Sequence, residues 1–207
     1  MAGALLAAAP SLGGCILAAA GAGAAGGYDV FGQERSAEQQ VKDAAIRAQI
    51  RVAWGNDNQQ LPDDLDATVY DARVLLTGQV PQADMREQAV KLAWKTEGVK
   101  EVYDEIQVGP STHFMDDARD TVISTRLRND LLFDREIRSI NYIVTTADGV
   151  VYIIGSARSQ QELNRVTDYA RNIANVRRVV SYVRIRSGEP AAPVAAGNGA
   201  APAAAAA

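Results

Sequence analysis

Tyr142-Ile143-Val144-Thr145-Thr146-Ala147-Asp148-Gly149-Val150-Val151-Tyr152-Ile153-Ile154-Gly155 consists of two β-rich runs hinged on Asp-Gly. The runs Tyr142 to Thr146 and Val150 to Ile154 are separated by Ala147-Asp148-Gly149, and Asp-Gly between two such runs is a strong hairpin signal. An earlier stretch, 77 residues upstream, has the same form: Ala67 to Tyr70, then Asp71-Ala72-Arg73, then Val74 to Val80. The offset persists outside the hairpins. Gly78, Ala93, Val99, Val102, Ile106 and Val108 fall on Gly155, Ala170, Val176, Val179, Val183 and Ile185. Ile46, Ile50 and Arg51 fall on Ile123, Leu127 and Arg128. Most of these pairs are apolar or glycine, the residue types that a shared core requires. Solenoid periods run about 20–50 residues, so this longer spacing is one small domain duplicated.

Each hairpin is flanked by helices. Ser36-Ala37-Glu38-Gln39 has capping-box spacing, and Val41, Ala45, Ile46, Ile50 and Trp54 follow at helical intervals until Gly55-Asn56. A second helix is expected at about Gln82 to Thr96 and Ser159 to Ile173, the latter opened by the capping box Ser159-Gln160-Gln161-Glu162. Its inward stripe is Leu163, Val166, Ala170 and Ile173. Turns at Gly98 and Asn175 lead into last strands, Val99 to Val108 and Val176 to Ile185. Each unit is therefore α-β-β-α-β, an α/β (α+β) fold. Its hairpin is antiparallel and its β-α-β half a right-handed parallel crossover. A three-stranded mixed sheet covered on one face by two helices follows. Gly78 and Gly155 are structural glycines near the end of the middle strand, where the chain turns or another backbone passes close.

The domains run from 36 to 109 and from 116 to 187. Each is near the size at which one core is barely sufficient, so the two are expected to lean on each other. From Gln33 to Gly109 there are 9 Lys/Arg against 14 Asp/Glu, a balance of -5. From Asp116 to Ser187 there are 12 Arg against 9 Asp/Glu, a balance of +3. A sign difference on one shared scaffold suggests that the second copy meets something anionic.

Residues 2–27 carry no charge and are mainly Ala, Gly and Leu. Leu12-Gly13-Gly14-Cys15 resembles a bacterial lipobox, giving a signal peptide at 1–14, a lipid anchor on Cys15 and an Ala/Gly-rich linker at 15–35. Cys15 is the single cysteine, which excludes a disulfide within one chain. Gly21 to Gly26 spells G-x-G-x-x-G but follows no strand, and is read as linker. The Ala/Pro-rich stretch 188–207 is expected to be disordered.

No catalytic chemistry is legible. His113, the single histidine, has no partner nearby in sequence and falls in the Pro110 to Asp116 connector. No P-loop, G-x-S-x-G, H-E-x-x-H or paired-cysteine metal spacing occurs. The acidic run Asp57 to Asp66 lacks the glycine and glutamate of a calcium loop. Asp116, Asp117 and Asp120 suit the positive end of a helix as caps. The chain is expected to be no enzyme, with neither cofactor nor metal.

Thr121 to Phe133 is the segment that stands out. Ile123, Leu127 and Leu131 repeat the core spacing, leaving Val122, Arg126, Asn129 and Phe133 on another side. An exposed Val and Phe flanked by Arg119, Arg126, Arg128, Arg135 and Arg138 suits an anionic membrane surface. The other reading has Phe133 tucked under the hairpin and the arginines simply solvated. Arg177, Arg178, Arg184 and Arg186 around Tyr182 have the composition of a nucleic-acid footprint, but no recognised binding motif accompanies them, and nucleic acid is not an expected partner.

The stretch Asp120 to Gly155 (DTVISTRLRNDLL, then VTTADGVVYIIG), closing with NVRRVVSYV, resembles a BON domain; VLLTGQV and GVKEVYDEI give the shorter match in the first copy. Two such domains behind a lipobox resemble the dual BON-domain outer-membrane lipoproteins that maintain envelope integrity. The resemblance implies that the first helix of the second domain, here Thr121 to Leu132, binds anionic phospholipid. Its implied contacts are Val122, Arg126, Arg128, Asn129 and Phe133, with Val122 standing where a family member has an aromatic. Ile16 after the cysteine, rather than Asp, implies the outer membrane, with the protein facing the periplasm. The rival expectation is an envelope protein-interaction module whose basic second domain docks an acidic protein.

Overall fold

The computed structural model describes residues 36–109 and 113–185. The expected signal peptide, Cys15, the linker and the Ala/Pro tail lie outside the described residues. In the first domain α1 (Ala37–Asp57) and a short α2 (Leu61–Asp64) precede the hairpin β1 (Leu65–Tyr70) and β2 (Arg73–Val80). Helix α3 (Ala83–Lys95) then crosses to β3 (Glu101–Val108). The second domain repeats this with α4 (His113–Phe133), a 3-10 turn (Ser139–Asn141), β4 (Tyr142–Ala147), β5 (Val150–Ala157), α5 (Gln160–Arg171) and β6 (Arg178–Ile185). In each sheet the hairpin is antiparallel, the outer pair is parallel and the middle strand is β2 or β5.

The hairpin turns are two residues long, not three. Asp71 and Ala72 have φ of 52° and 62°, and Asp148 and Gly149 have 50° and 69°. Both central residues are thus left-handed, the geometry that matches strand twist. Asp43 accepts the N–H groups of Asp71 and Ala72 at 2.8 and 2.9 Å, and Asp120 accepts that of Gly149 at 2.9 Å. Asp120 therefore caps a hairpin from a buried site mid-helix and is no cap for its own helix. That helix begins at His113, inside the segment expected to be a connector.

The capping boxes are half made. Ser36 Oγ accepts from the Gln39 N–H and Ser159 Oγ from the Glu162 N–H. Gln39 then turns to Asp43 instead of reaching back, and the Glu162 carboxylate takes the N–H groups of Arg138 and Arg158. Glu162 thereby ties the segment after α4 to the start of α5.

Each helix pair covers one sheet face, as the alternation of apolar residues requires. Ile46, Ile50, Trp54, Val74, Leu76, Ala89 and Ala93 form one core, and Ile123, Leu127, Val151, Ile153, Val166 and Ala170 its counterpart. The other faces of the two sheets close on each other. Tyr70, Leu75, Val150, Tyr152 and Ile154 make a third core there, with Tyr103, Ile143, Val180 and Tyr182 at its margin. The result is four layers, helix–sheet–sheet–helix. Burial on both faces explains why β5 is apolar without alternation.

The sheets meet about a local twofold relation. Thr68 Oγ1 lies 3.3 Å from Oγ1 of Thr145, its equivalent. Buried Arg73 reaches across, donating to the carbonyls of Tyr182 and Gly155 at 2.8 and 2.9 Å, and lies over the Tyr70 ring. Tyr70 and Ser156 share a 2.9 Å hydrogen bond.

Candidate functional site

Helix α4 presents the face expected from its spacing. Core positions Ile123, Leu127 and Leu131 are buried, while Val122, Leu132 and Phe133 are 66%, 64% and 82% exposed. Phe133 does not tuck under the hairpin. Asp134, the next residue, accepts from the Glu136 N–H, the Tyr169 hydroxyl and the Arg165 guanidinium at 2.8, 3.0 and 3.1 Å. The Glu136 N–H does most to hold the Asp134 carboxyl below its usual range; burial opposes it, and the Tyr169 hydroxyl and the Arg165 guanidinium tip the balance downward. These bonds fix the end of α4 and keep Phe133 outward.

The polar candidates separate. Arg126 and Asn129 are exposed beside Val122 and Phe133, and Arg126 forms no ion pair among the described residues. Arg135 and Arg138, just beyond the helix, likewise have unpaired side chains among the described residues. Arg128 differs: it donates to the Val144 carbonyl at 2.6 Å, covering the outer edge of β4. Arg51, its equivalent, donates instead to the Pro62 carbonyl in α2 at 2.9 Å. An arginine at this position therefore has a structural task in both copies.

Of the basic cluster around Tyr182, Arg178 and Arg184 face the first domain, and Arg186 lies outside the described residues. Tyr182 stacks on Tyr103 with centroids 4.1 Å apart and donates to Glu105; Arg184 pairs with Glu101, and Arg178 lies 3.9 Å from Glu105. Arg177 is paired with Asp148 at 2.8 Å. Part of the anionic partner implied by the charge asymmetry is thus the first domain itself. Burial, then the Glu105 charge, pushes the Tyr152 hydroxyl up to about 12. Burial and the bond to Glu105 raise Tyr182 as well. None of these seam residues was singled out for this role in the sequence; the unbroken apolar run of β5 was the available signal.

Gly78 and Gly155 pair with Leu65 and Tyr142 at the starts of the hairpins. A Cβ there would lie 2.3 Å from the Asp64 carbonyl oxygen and 2.1 Å from that of Asn141. Another backbone passes too close for any side chain.

A cleft at the β1 and β4 edges is lined by Arg51, Asp63, Asp64, Asp66, Thr77, Gln79, Asp120 and Asp148, with neither cysteine nor histidine. Among the described residues there is no group of ligands that could hold a metal, and no helix is long and apolar enough to cross a membrane.

The BON domain model matches residues 42–110 and 119–187, two units in the register of the structural repeat. The chain belongs to the BON-domain family. Among its relatives, the outer membrane lipoprotein DolP of Haemophilus influenzae is 31% identical over 181 residues, covering 87% of this chain and 93% of DolP. A protein encoded in the gshII 5′ region of Anaplasma centrale is 40% identical over 70% of this chain and 96% of its own length. The osmotically-inducible protein Y of Escherichia coli is 30% identical over 70% of this chain and 74% of its own.

Proposed function

We propose that this BON-domain protein is a non-catalytic lipoprotein of the outer membrane, anchored through Cys15 and facing the periplasm. In this reading its second domain binds anionic phospholipid and supports membrane integrity. The observation that carries it is the outer face of α4, where exposed Val122 and Phe133 flank an Arg126 with no counter-ion among the described residues. Apolar side chains at the two ends of the face, about 16 Å apart along the helix, would seat in the headgroup boundary. Arg126, with Arg135 and Arg138 nearby, would each add about 1 kcal/mol close to an anionic surface, less with salt. The likeness to an outer membrane lipoprotein across most of both chains supports the placement.

The rival reading is an envelope protein-interaction module whose basic second domain docks an acidic protein; of that domain's arginines, Arg178 and Arg184 already face Glu105 and Glu101 within the chain. Sedimentation of residues 33–187, without the anchor, with vesicles separates the two. Binding to phosphatidylglycerol but not phosphatidylcholine, weakened by Arg126→Glu, is expected. Absence of binding to either vesicle would overturn the lipid reading.

A further inference from the structure

Because the two domains are copies that meet about a local twofold, each contact between them can be compared with the contact that two identical copies would make. At the centre of the polar seam, Tyr182 meets Glu105, its own equivalent. Beside it Arg184 meets Glu101, and the symmetry-related pair is Arg178 with Gln107. Two first domains placed in this geometry would set Glu105 against Glu105, with Glu101 close to the other copy's Glu105. Two second domains would set Arg178 against Arg184 twice, with no carboxylate between them. At these seam positions the mixed pair alone puts acid against base; buried Arg73, whose equivalent is Val150, crosses the interface to backbone carbonyls instead. The apolar part of the interface makes no such distinction, since Leu75 and Tyr152, equivalent positions, are both buried in it.

We infer that the inner sheet faces form an addressed interaction surface, in which apolar residues supply adhesion and the seam selects the opposite copy over a like one. The partner that fits the basic face is an acidic BON sheet presenting carboxylates at the positions of Glu101 and Glu105. A partner of that chemistry is present in every molecule, so the face is occupied within the chain. Like charges brought together in this partly exposed seam are the repulsive element that selectivity requires, and the domains' opposite net charges record it.

The test uses the whole chain with Cys15→Ser, Thr68→Cys and Thr145→Cys, whose sulfurs would meet across the interface. Disulfide formation under native conditions then reports closure, and chromatography reports whether the link lies within one chain or between two. The parent should cross-link within the monomer. Arg178→Glu with Arg184→Glu, which makes both seams acidic, should slow that link by roughly tenfold or more. Adding Glu101→Arg and Glu105→Arg, which exchanges the charges, should restore it while far-ultraviolet circular dichroism stays constant. An acidic-seam variant that cross-links as fast as the parent would overturn the inference. So would failure of the exchanged variant to recover, because packing and not charge would then address the surface.

Discussion

Tyr182 donates its phenolic hydrogen to Glu105, the residue that holds Tyr182's own place in the first copy. A duplicated fold has thus diverged at the point where its halves touch, one side keeping a donor and the other an acceptor. Removing the donor should expose its worth. Tyr182→Phe keeps the stacking on Tyr103 but leaves the Glu105 carboxylate with Arg178, 3.9 Å away. A hydrogen bond to a charged group contributes about 1.5–3 kcal/mol. Urea unfolding should show a loss in that range, with an unchanged m-value.

Tyr152 behaves differently. Its hydroxyl is buried and has no hydrogen-bond partner among the described residues. Tyr152→Phe should therefore be neutral or stabilising at pH 7, since it removes a desolvated polar group. Burial, then the Glu105 charge, pushes this phenol from an ordinary 10.0 up to about 12. Its folded state holds a proton that the unfolded chain releases, so stability is complete below pH 10 and declines between 10 and about 12. Melting temperatures across that window should fall less in the Phe variant than in the parent.

Glu162 governs the acid side. Burial alone would raise its carboxyl, but the N–H groups of Arg138 and Arg158 and the Arg158 guanidinium outweigh that and hold it below the ordinary 4.5. A lowered carboxyl stabilises the fold above its unfolded value and loses that contribution as pH falls through the folded one. Glu162→Gln should destabilise at pH 7 by about 1–3 kcal/mol and flatten the decline below 4.5. Equal acid sensitivity in both proteins would assign that decline to other carboxylates.

Much of this architecture was legible because local chemistry and core spacing agree. Asp148-Gly149 announces its turn, and the core positions of α4 follow a clean interval of four. In the first copy Ala72 obscured the length of the matching turn, since alanine seldom adopts positive φ; its conformation is held from outside by Asp43. The sheet-to-sheet interface was hidden for a related reason. It depends on contacts more than 70 residues apart, such as Thr68 with Thr145 and Arg73 with Gly155, which no local pattern encodes. The unbalanced charges were readable, but their destination was not. They pointed outward to an anionic partner, and several of them turn inward. On α4 itself the sequence grouped Arg126 with Arg128, because spacing cannot tell a solvated arginine from one that caps a strand edge.

That grouping sets the last prediction. Arg126→Ala removes an exposed side chain with no partner among the described residues, so stability should stay within about 0.5 kcal/mol. Sedimentation with phosphatidylglycerol vesicles should nonetheless weaken, by roughly 1 kcal/mol or about fivefold at low salt, and the difference should shrink as salt rises. Arg128→Ala strands the Val144 carbonyl at the edge of β4 and should cost about 1–2 kcal/mol of stability. Arg51→Ala should cost a similar amount through Pro62, without touching vesicle binding. Phe133→Ala completes the set. Phe133 is too exposed to contribute to the core, so its loss should leave unfolding unchanged and lower vesicle affinity at every salt concentration. A Phe133→Ala protein that binds vesicles as the parent does would remove α4 from the membrane contact.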